Sequence, residues 1–546
     1  MNSRLHRPSA PLWVAASCVL ALAVLVIANL AAMEFGPLRS RAIQVDEVFF
    51  AVCAARDNAV GDFPSFGCHD QKTPLIYATH QVVQWASGTY SLPGIKVAAF
   101  ALILIGAALV AALTRRLAGT VGAMAAAALF LLTIGIDAFL LALKSEVLGT
   151  SFLLCGLLVL ARGGGAPRTR HWALCGLFFG GAFMVKQTFA FATVVSVMAL
   201  LLTAARSPQP RWGTALGHAV ALCAASLVPL LLSALLFAWQ GRLPEFLASI
   251  FLYPSIYKAP GGDLGVLRPL LWRVGSVFED MGRTPLVAML AVTAAAMGTG
   301  LAKGADKTPA TSNPAWNVLL ACAAGMLLVV FISPIYFSYH LLPAWMLLSV
   351  MAGVLVQRLA DGHSSDRRLA AGVAAAMVLP AAMMAATSWY TSGGKAKHLD
   401  AGAAPPTIAG AKGEYAYVLG TWPDFYFSSE LIPASHVLFP WSLPGAPQYW
   451  SYAPPDPGSL RGRWLARVQE RAAQQLMSDF ERTPPSYVVV SHDMARAPGS
   501  PRVTDIRILD DYLRQRCSYL RPAPENLGSA QSLFACNSRR AVGSAP

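Results

Sequence analysis

Charge is scarce in this chain. Only 13% of its 546 residues are Asp, Glu, Lys or Arg, about half the roughly 25% of an ordinary soluble protein. Carboxylates are the scarcer sign, 28 against 42 Lys and Arg, for a net charge of +14. With a hydrophobic share of 55% and a mean hydropathy of +0.51, that scarcity excludes a single large soluble globule. No alternation of basic and aromatic residues accompanies the positive balance, so nucleic acid is not an expected partner. No Asn-x-Ser/Thr acceptor occurs, which favours a bacterial periplasm over an endoplasmic reticulum lumen. The tail beyond residue 406 holds no glycine-rich phosphate loop, CxxC, HExxH or GxSxG. The usual signatures of nucleotide, thiol-redox, zinc-protease and serine-hydrolase chemistry are therefore missing there. No short-period repeat stands out.

What the chain does have is a series of apolar runs long enough to cross hydrocarbon as helices. About eleven are read, near 12–33, 95–113, 118–135, 147–161, 171–185, 188–204, 214–238, 285–302, 316–333, 340–357 and 369–390. The first is expected to be retained, because it lacks a small-x-small cleavage site followed by a soluble mature chain and is long for a signal-peptide core. Basic clusters mark one side: Arg4 and Arg7, Arg115 and Arg116, Arg162 with Arg168 and Arg170, Arg206 and Arg211, Lys303 and Lys307, and Arg358 with Arg367 and Arg368. The positive-inside rule makes that side cytoplasmic. Larger loops, 34–94 and 239–284 among them, and the tail then lie on the outer side. Cys18, Cys155, Cys175, Cys223 and Cys322 fall within the runs, and the other four cysteines fall outside. An oxidising compartment permits pairing, and Cys53–Cys68 and Cys517–Cys536 are the expected disulfides, with four free thiols as the alternative.

Three parts are expected: residues 1–390 as a transmembrane domain, 391–406 as a Gly/Ala/Pro linker, and 407–546 as a small soluble domain. Tyr415 to Gly420 and Ser486 to Ser491 read as strands, and Arg461 to Arg482 as a helix of mixed charge. Strands alternating with helices suggest an α/β arrangement.

The chemistry-bearing residues collect just outside the runs. Asp46 and Glu47 follow the first run, and Asp70-Gln71-Lys72-Thr73-Pro74-Leu75-Ile76-Tyr77 lies later in the same loop. Ionisable groups beside a bilayer are costly and usually mark function. Ser145-Glu146 opens the fourth run, Val185-Lys186-Gln187 lies between two runs, and Tyr339-His340-Leu341-Leu342-Pro343 opens the tenth. In that order these motifs resemble the polyprenyl-phosphate-sugar-dependent glycosyltransferases of the GT-C fold. That group includes the protein mannosyltransferases and the lipid A aminoarabinose transferases. One departure is clear: the family often has Glu-Lys-Pro-Pro where this chain has Gln71-Lys72-Thr73-Pro74.

The resemblance implies a polytopic α-helical membrane protein of GT-C type with a C-terminal α/β domain. It implies an inverting glycosyltransferase of the inner membrane, working at its periplasmic face. The donor would be a polyprenyl-phosphate sugar and the acceptor lipid A or its core, another envelope glycan, or a protein. No cofactor and no catalytic metal are expected. Asp46 is the candidate base, a carboxylate strengthened by desolvation at the bilayer edge, or else a helix cap. Glu47, about 100° away on a helix, is its helper or an ion-pair partner. Lys72 would hold the lipid phosphate, unless it is a snorkelling lysine. Arg268 and Arg273 would assist it or belong to a headgroup belt. Asp70, Tyr77, Glu146, Lys186, Tyr257, Tyr339 and His340 are candidates to line the substrate cavity, with Glu146 and Lys186 also able to pair with each other. A transporter or lipid flippase is the alternative. It is disfavoured because transporters place ionisable groups near the midplane, whereas here they gather in outer loops.

Overall fold

The structure is a computed structural model. It describes residues 45–62, 68, 72–135, 142–206, 211–256, 274–277, 314–333, 338–362, 408, 410–419, 424–438, 442–444, 455–491, 506–520 and 531–536, with helical positions 17, 20, 21, 23, 24 and 27. The expected runs 285–302 and 369–390 lie outside these residues.

In chain order the longer helices begin with α1 (Val45–Val60), α2 (Pro74–Ser87), α3 (Leu92–Leu117) and α4 (Thr120–Gly135). There follow α5 (Ser145–Arg162), α6 (Thr169–Phe183), α7 (Ala190–Ala205) and α8 (Trp212–Trp239). Next come α9 (Pro314–Ile332), α10 (Leu342–Gly362), α11 (Leu460–Arg482) and α12 (Arg507–Arg516). Six stretches among the described residues are long and apolar enough to cross a membrane, and Thr120–Ile134 is a shorter apolar helix. The protein is a multi-pass membrane protein.

Two compact units divide the chain. One comprises residues 1–39, 96–232 and 264–400, the other residues 40–95, 233–263 and 401–546. The loops 40–95 and 233–263 thus share a unit with the tail.

The membrane helices of the first unit approach closely through small residues, the usual solution where lipid offers no hydrophobic drive between helices. On α4 and α10, Gly122 and Gly353 face each other. A Cβ on Gly122 would lie 2.3 Å from the Gly353 carbonyl oxygen, and one on Gly353 would lie 2.4 Å from that of Gly122. Gly176 and Gly180 of α6 sit equally close to α8, whose Leu222 and Ser226 carbonyl oxygens would be 2.2 and 2.3 Å from added Cβ atoms. Pro229 interrupts α8 opposite Gly180.

In the second unit a five-stranded sheet has the order β2-β1-β3-β5-β4. The strands are β1 (Tyr415–Leu419), β2 (Ile432–Pro433), β3 (Tyr487–Ser491), β4 (Cys517–Leu520) and β5 (Gln531–Cys536). β1 runs parallel to β2 and β3, and β5 runs antiparallel to β3 and β4. Ser459 caps α11 by accepting from the Gly462 N–H at 3.0 Å. The buried positions Leu465, Val468, Ala472, Leu476 and Phe480 recur every three or four residues, the stripe of an amphipathic helix. Of these, Ala472, Leu476 and Phe480 meet Tyr417, Leu419, Val488 and Val490 of the sheet. The segment 248–253 adds Ala248, Leu252 and Tyr253 against Leu465 and Val468. Tyr90, just before α3, holds a left-handed φ of 57°. Its hydroxyl donates to the Leu431 carbonyl at 2.6 Å, which holds a conformation costly for a bulky side chain.

Candidate active site

The second unit carries the first acidic pair on a helical hairpin. Asp46 and Glu47 occupy the first turn of α1, where negative charge meets the positive end of the helix dipole. Asp46 is half-buried and Glu47 is buried. Lys72, half-buried, precedes α2, whose first residue Pro74 follows the N-cap Thr73. A proline at that position loses no helical hydrogen bond and is already set to helical φ. Thr73 and Pro74, where the family often has Pro-Pro, therefore still start a helix at this point.

The hairpin is held by several specific contacts. Tyr77 of α2 is buried edge-on to Phe50 of α1, with centroids 5.3 Å apart, and it also meets Phe49 at 6.4 Å. The Gln84 amide donates to the Ala51 carbonyl at 2.6 Å and that of Gln81 to the Asp62 carbonyl at 2.5 Å. A disulfide joins Cys53 of α1 to Cys68 in the connecting loop. A second joins Cys517 to Cys536, which face each other across β4 and β5. The thiols of Cys155, Cys175, Cys223 and Cys322 are free, and all four lie on helices of the first unit.

A second polar cluster forms within the first unit. Glu146, in the first turn of α5, accepts from the Lys186 ammonium and, at 3.0 Å, from the Ser145 hydroxyl. Lys186 belongs to the short connection between α6 and α7. Its Nζ lies 6.0 Å from the Tyr339 ring centroid, and the Nζ of Lys144 lies 3.5 Å from the same ring. His340 stands edge-on to Tyr339 at 4.8 Å. Lys144, Ser145, Glu146 and Tyr339 are all buried. The sequence reading anticipated Glu146, Lys186, Tyr339 and His340 but passed over Lys144. Its only sequence signal is a lysine directly before Ser145-Glu146 in apolar surroundings, and the ring it covers is 195 positions away in the chain.

Asp46, Glu47, Lys72 and Tyr77 thus belong to one unit, and Glu146, Lys186, Tyr339 and His340 to the other. Asp70, Tyr257, Arg268 and Arg273 lie outside the described residues. Among the described residues, Asp57, Asp62 and His436 bring together the donor types of a cation site. The Arg242 guanidinium already sits on the Asp62 carboxylate at 3.0 Å, which makes this group part of an ion-pair network.

This is the GT-C fold. ArnT from Cupriavidus metallidurans bound to undecaprenyl phosphate superposes with a TM-score of 0.54 at 16% identity, covering 94% of this chain and 98% of that one. The apo form of the same enzyme gives 0.54 and 16%, covering 94% and 97%. An oligosaccharyltransferase of Archaeoglobus fulgidus, AglB, matches at 0.47 and 11% identity over 97% of this chain and 75% of that one. Residues 72–232 match the family model described as dolichyl-phosphate-mannose-protein mannosyltransferase. That stretch begins at Lys72 and takes in Tyr77, Glu146 and Lys186. No curated protein matches the sequence.

Proposed function

We propose that the protein is an inverting glycosyltransferase that moves one sugar from a polyprenyl phosphate to an acceptor hydroxyl at the periplasmic face of the inner membrane. The acceptor classes are lipid A or its core, another envelope glycan, or a protein. One observation carries the reading. On a GT-C scaffold, a carboxylate pair in the first turn of α1 and a lysine at the head of α2 lie on one disulfide-tied hairpin.

Sugar bound through phosphate already has a good leaving group, so the protein needs only a base and a cation. Asp46 takes the proton of the acceptor hydroxyl. The oxygen attacks the anomeric carbon as the bond from that carbon to the phosphate oxygen breaks. The electron pair leaves on polyprenyl phosphate, whose growing charge Lys72 balances. Direct displacement inverts the configuration without a glycosyl-enzyme intermediate. Glu47 assists Asp46. Both disulfides fall in the unit that holds Asp46 and Lys72, and the free thiols fall in the other. That division supports an oxidising compartment for the chemistry.

The test is transfer from synthetic polyprenyl-phosphate sugars by the purified full chain in lipid discs. Asp46→Asn is expected to lower the rate by about 10²–10⁴ with the fold intact. Lys72→Ala should lose about 10²–10³, and Lys72→Arg should keep most of the rate. Full activity in Asp46→Asn overturns the assignment of the base. Equal, small effects of both Lys72 variants overturn the phosphate role.

A further inference from the structure

At the far end of α1 from Asp46 lies a buried charge network that the catalytic reading does not use. His436, just after β2, is 3% exposed. Its Nε2 lies 2.8 Å from Asp57 Oδ1 in the last turn of α1 and 3.6 Å from Asp62 Oδ2 just beyond it. Its Nδ1 lies 3.5 Å from Asp479 Oδ2 on α11, an ion-pair contact too long for a good hydrogen bond. Asp479 is itself heavily engaged. It accepts from the Ser435 hydroxyl at 2.7 Å, the His436 backbone N–H at 3.2 Å and the Gln475 amide at 2.7 Å. The Arg56 guanidinium of α1 lies 3.7 Å from Asp479 and donates to the Thr483 hydroxyl at 2.9 Å. Arg56 also stacks over Tyr415 of β1 at 5.7 Å. Arg242 holds Asp62 from the 233–263 segment, and Arg482, exposed on α11, is a further nearby cation.

The charges decide how the network works. Three carboxylates, Asp57, Asp62 and Asp479, face two guanidiniums, Arg56 and Arg242. Asp57, Asp479 and Arg56 are almost fully buried, and an unbalanced charge at such depth is expensive. Arg482 is exposed and screened by water, so among these groups an imidazolium is the sixth charge; it balances them and gives both ring nitrogens a proton to aim at carboxylates. A neutral ring would leave one nitrogen lone pair facing an acid.

We propose that His436, as an imidazolium, is a positioning residue that pins the C-terminal end of α1 to the α/β region of its own unit, and so fixes the helix whose first turn carries Asp46 and Glu47. The proposal rests on the reading of Asp46 as the base only for its functional consequence. Asp57 is eleven residues from Asp46, about 16 Å along a straight helix, so tilting at one end is transmitted to the other. Burial alone disfavours the charged ring, but Asp479 and Asp57 outweigh it and hold the His436 pKa above its ordinary 6.5. The sign follows from that direction. The pin's contribution is full below about pH 6.5 and is lost as pH rises through the higher native value.

Hydrogen exchange of the 52–60 amides in the full chain, corrected for intrinsic rate, reads this directly. In the wild type, protection is expected to fall above the native pKa of His436, by about tenfold for each unit that pKa exceeds the unfolded one. His436→Gln should show low protection at all pH values, with no pH step. Asp57→Asn, which keeps the ring and removes one facing charge, should move the step to lower pH. A wild type without a step, a step that survives in His436→Gln, or an unmoved step in Asp57→Asn overturns the pin. Release of the helix by EDTA at pH 6, reversed by zinc, overturns it in favour of a bound cation. Asp46→Asn should leave the step in place. If that variant still transfers sugar, the assignment of the base fails while the pin stands. If it is inactive and the wild type shows no step, the pin alone fails.

Discussion

The Glu146–Lys186 pair offers a quantitative test of the first unit. Its side chains are 4% and 11% exposed, at the ends of membrane-spanning segments. Glu146→Gln removes the carboxylate that accepts from the Lys186 ammonium where water is scarce. Breaking a buried pair from one side costs about 3–5 kcal/mol. For a unit larger than about 250 residues each kcal/mol moves an unfolding midpoint by about 1–2 °C, so the expected loss is about 3–10 °C. Lys186→Met alone should lose a similar amount, because it takes the ammonium donor from the buried Glu146 carboxylate. The double variant Glu146→Gln/Lys186→Met removes both charges and should regain most of the loss, since a missing pair costs far less than a half pair. The midpoint can be followed by intrinsic fluorescence of the protein in lipid discs. Single variants within a degree of wild type, or a double variant as unstable as the two losses summed, would refute the reasoning. Transfer activity of the recovered double variant then separates the roles. A folded but inactive double means that the pair also touches substrate, and a folded, active one means that it serves the fold.

Two further predictions bear on the same unit. Gly353→Leu places a side chain where a Cβ already meets the Gly122 carbonyl at 2.4 Å. Backbone cannot yield as a side chain does, so a loss of about 1–3 kcal/mol or more is expected, read as a lower midpoint and lower monodisperse yield; a wild-type midpoint contradicts the packing. Tyr339→Phe keeps the ring that lies 3.5 Å from the Lys144 ammonium, whereas Tyr339→Leu removes it. A desolvated cation–π contact of about 2 kcal/mol places the Leu variant about 2–4 °C below the Phe variant, and equal midpoints would show the contact to be idle.

Local patterns were the legible part of this protein. The apolar runs at 147–161 and 188–204 appear as α5 and α7 with ends shifted by one or two residues, because an unbroken apolar stretch bounded by charge leaves few alternatives. The strands at 415–419 and 487–491 and the helix at 460–482 followed from period and composition in the same way. Contacts between distant segments were not legible. Lys144 meets Tyr339, and Asp57 meets His436 across 379 positions. Nothing in either local sequence names the partner. For the same reason the sequence could group residues 40–95 with their neighbours in the chain but not with the tail.

One signal of the distant contact is present in the sequence. α1 begins with Asp46 and Glu47, where acids suit the helix dipole, and its last turn holds Asp57 with no basic residue. An acid at the negative end of a helix is unfavourable by several tenths of a kcal/mol even when exposed, and burying it raises the cost further. A local choice that contradicts its element implies compensation from elsewhere. Here the His436 ring, 2.8 Å from Asp57, supplies compensation from a loop where a lone histidine beside Ser435 carries no motif. The helix that starts with the proposed base is therefore badly terminated on its own and well terminated only inside its unit. An isolated 40–95 hairpin, disulfide intact, should accordingly fray from residue 57 onward, while the full chain keeps α1 helical to Val60. Backbone carbon shifts of the two at pH 6 would decide it, and an equally helical C-terminal turn in the isolated hairpin would show that the distant ring is not what completes the helix.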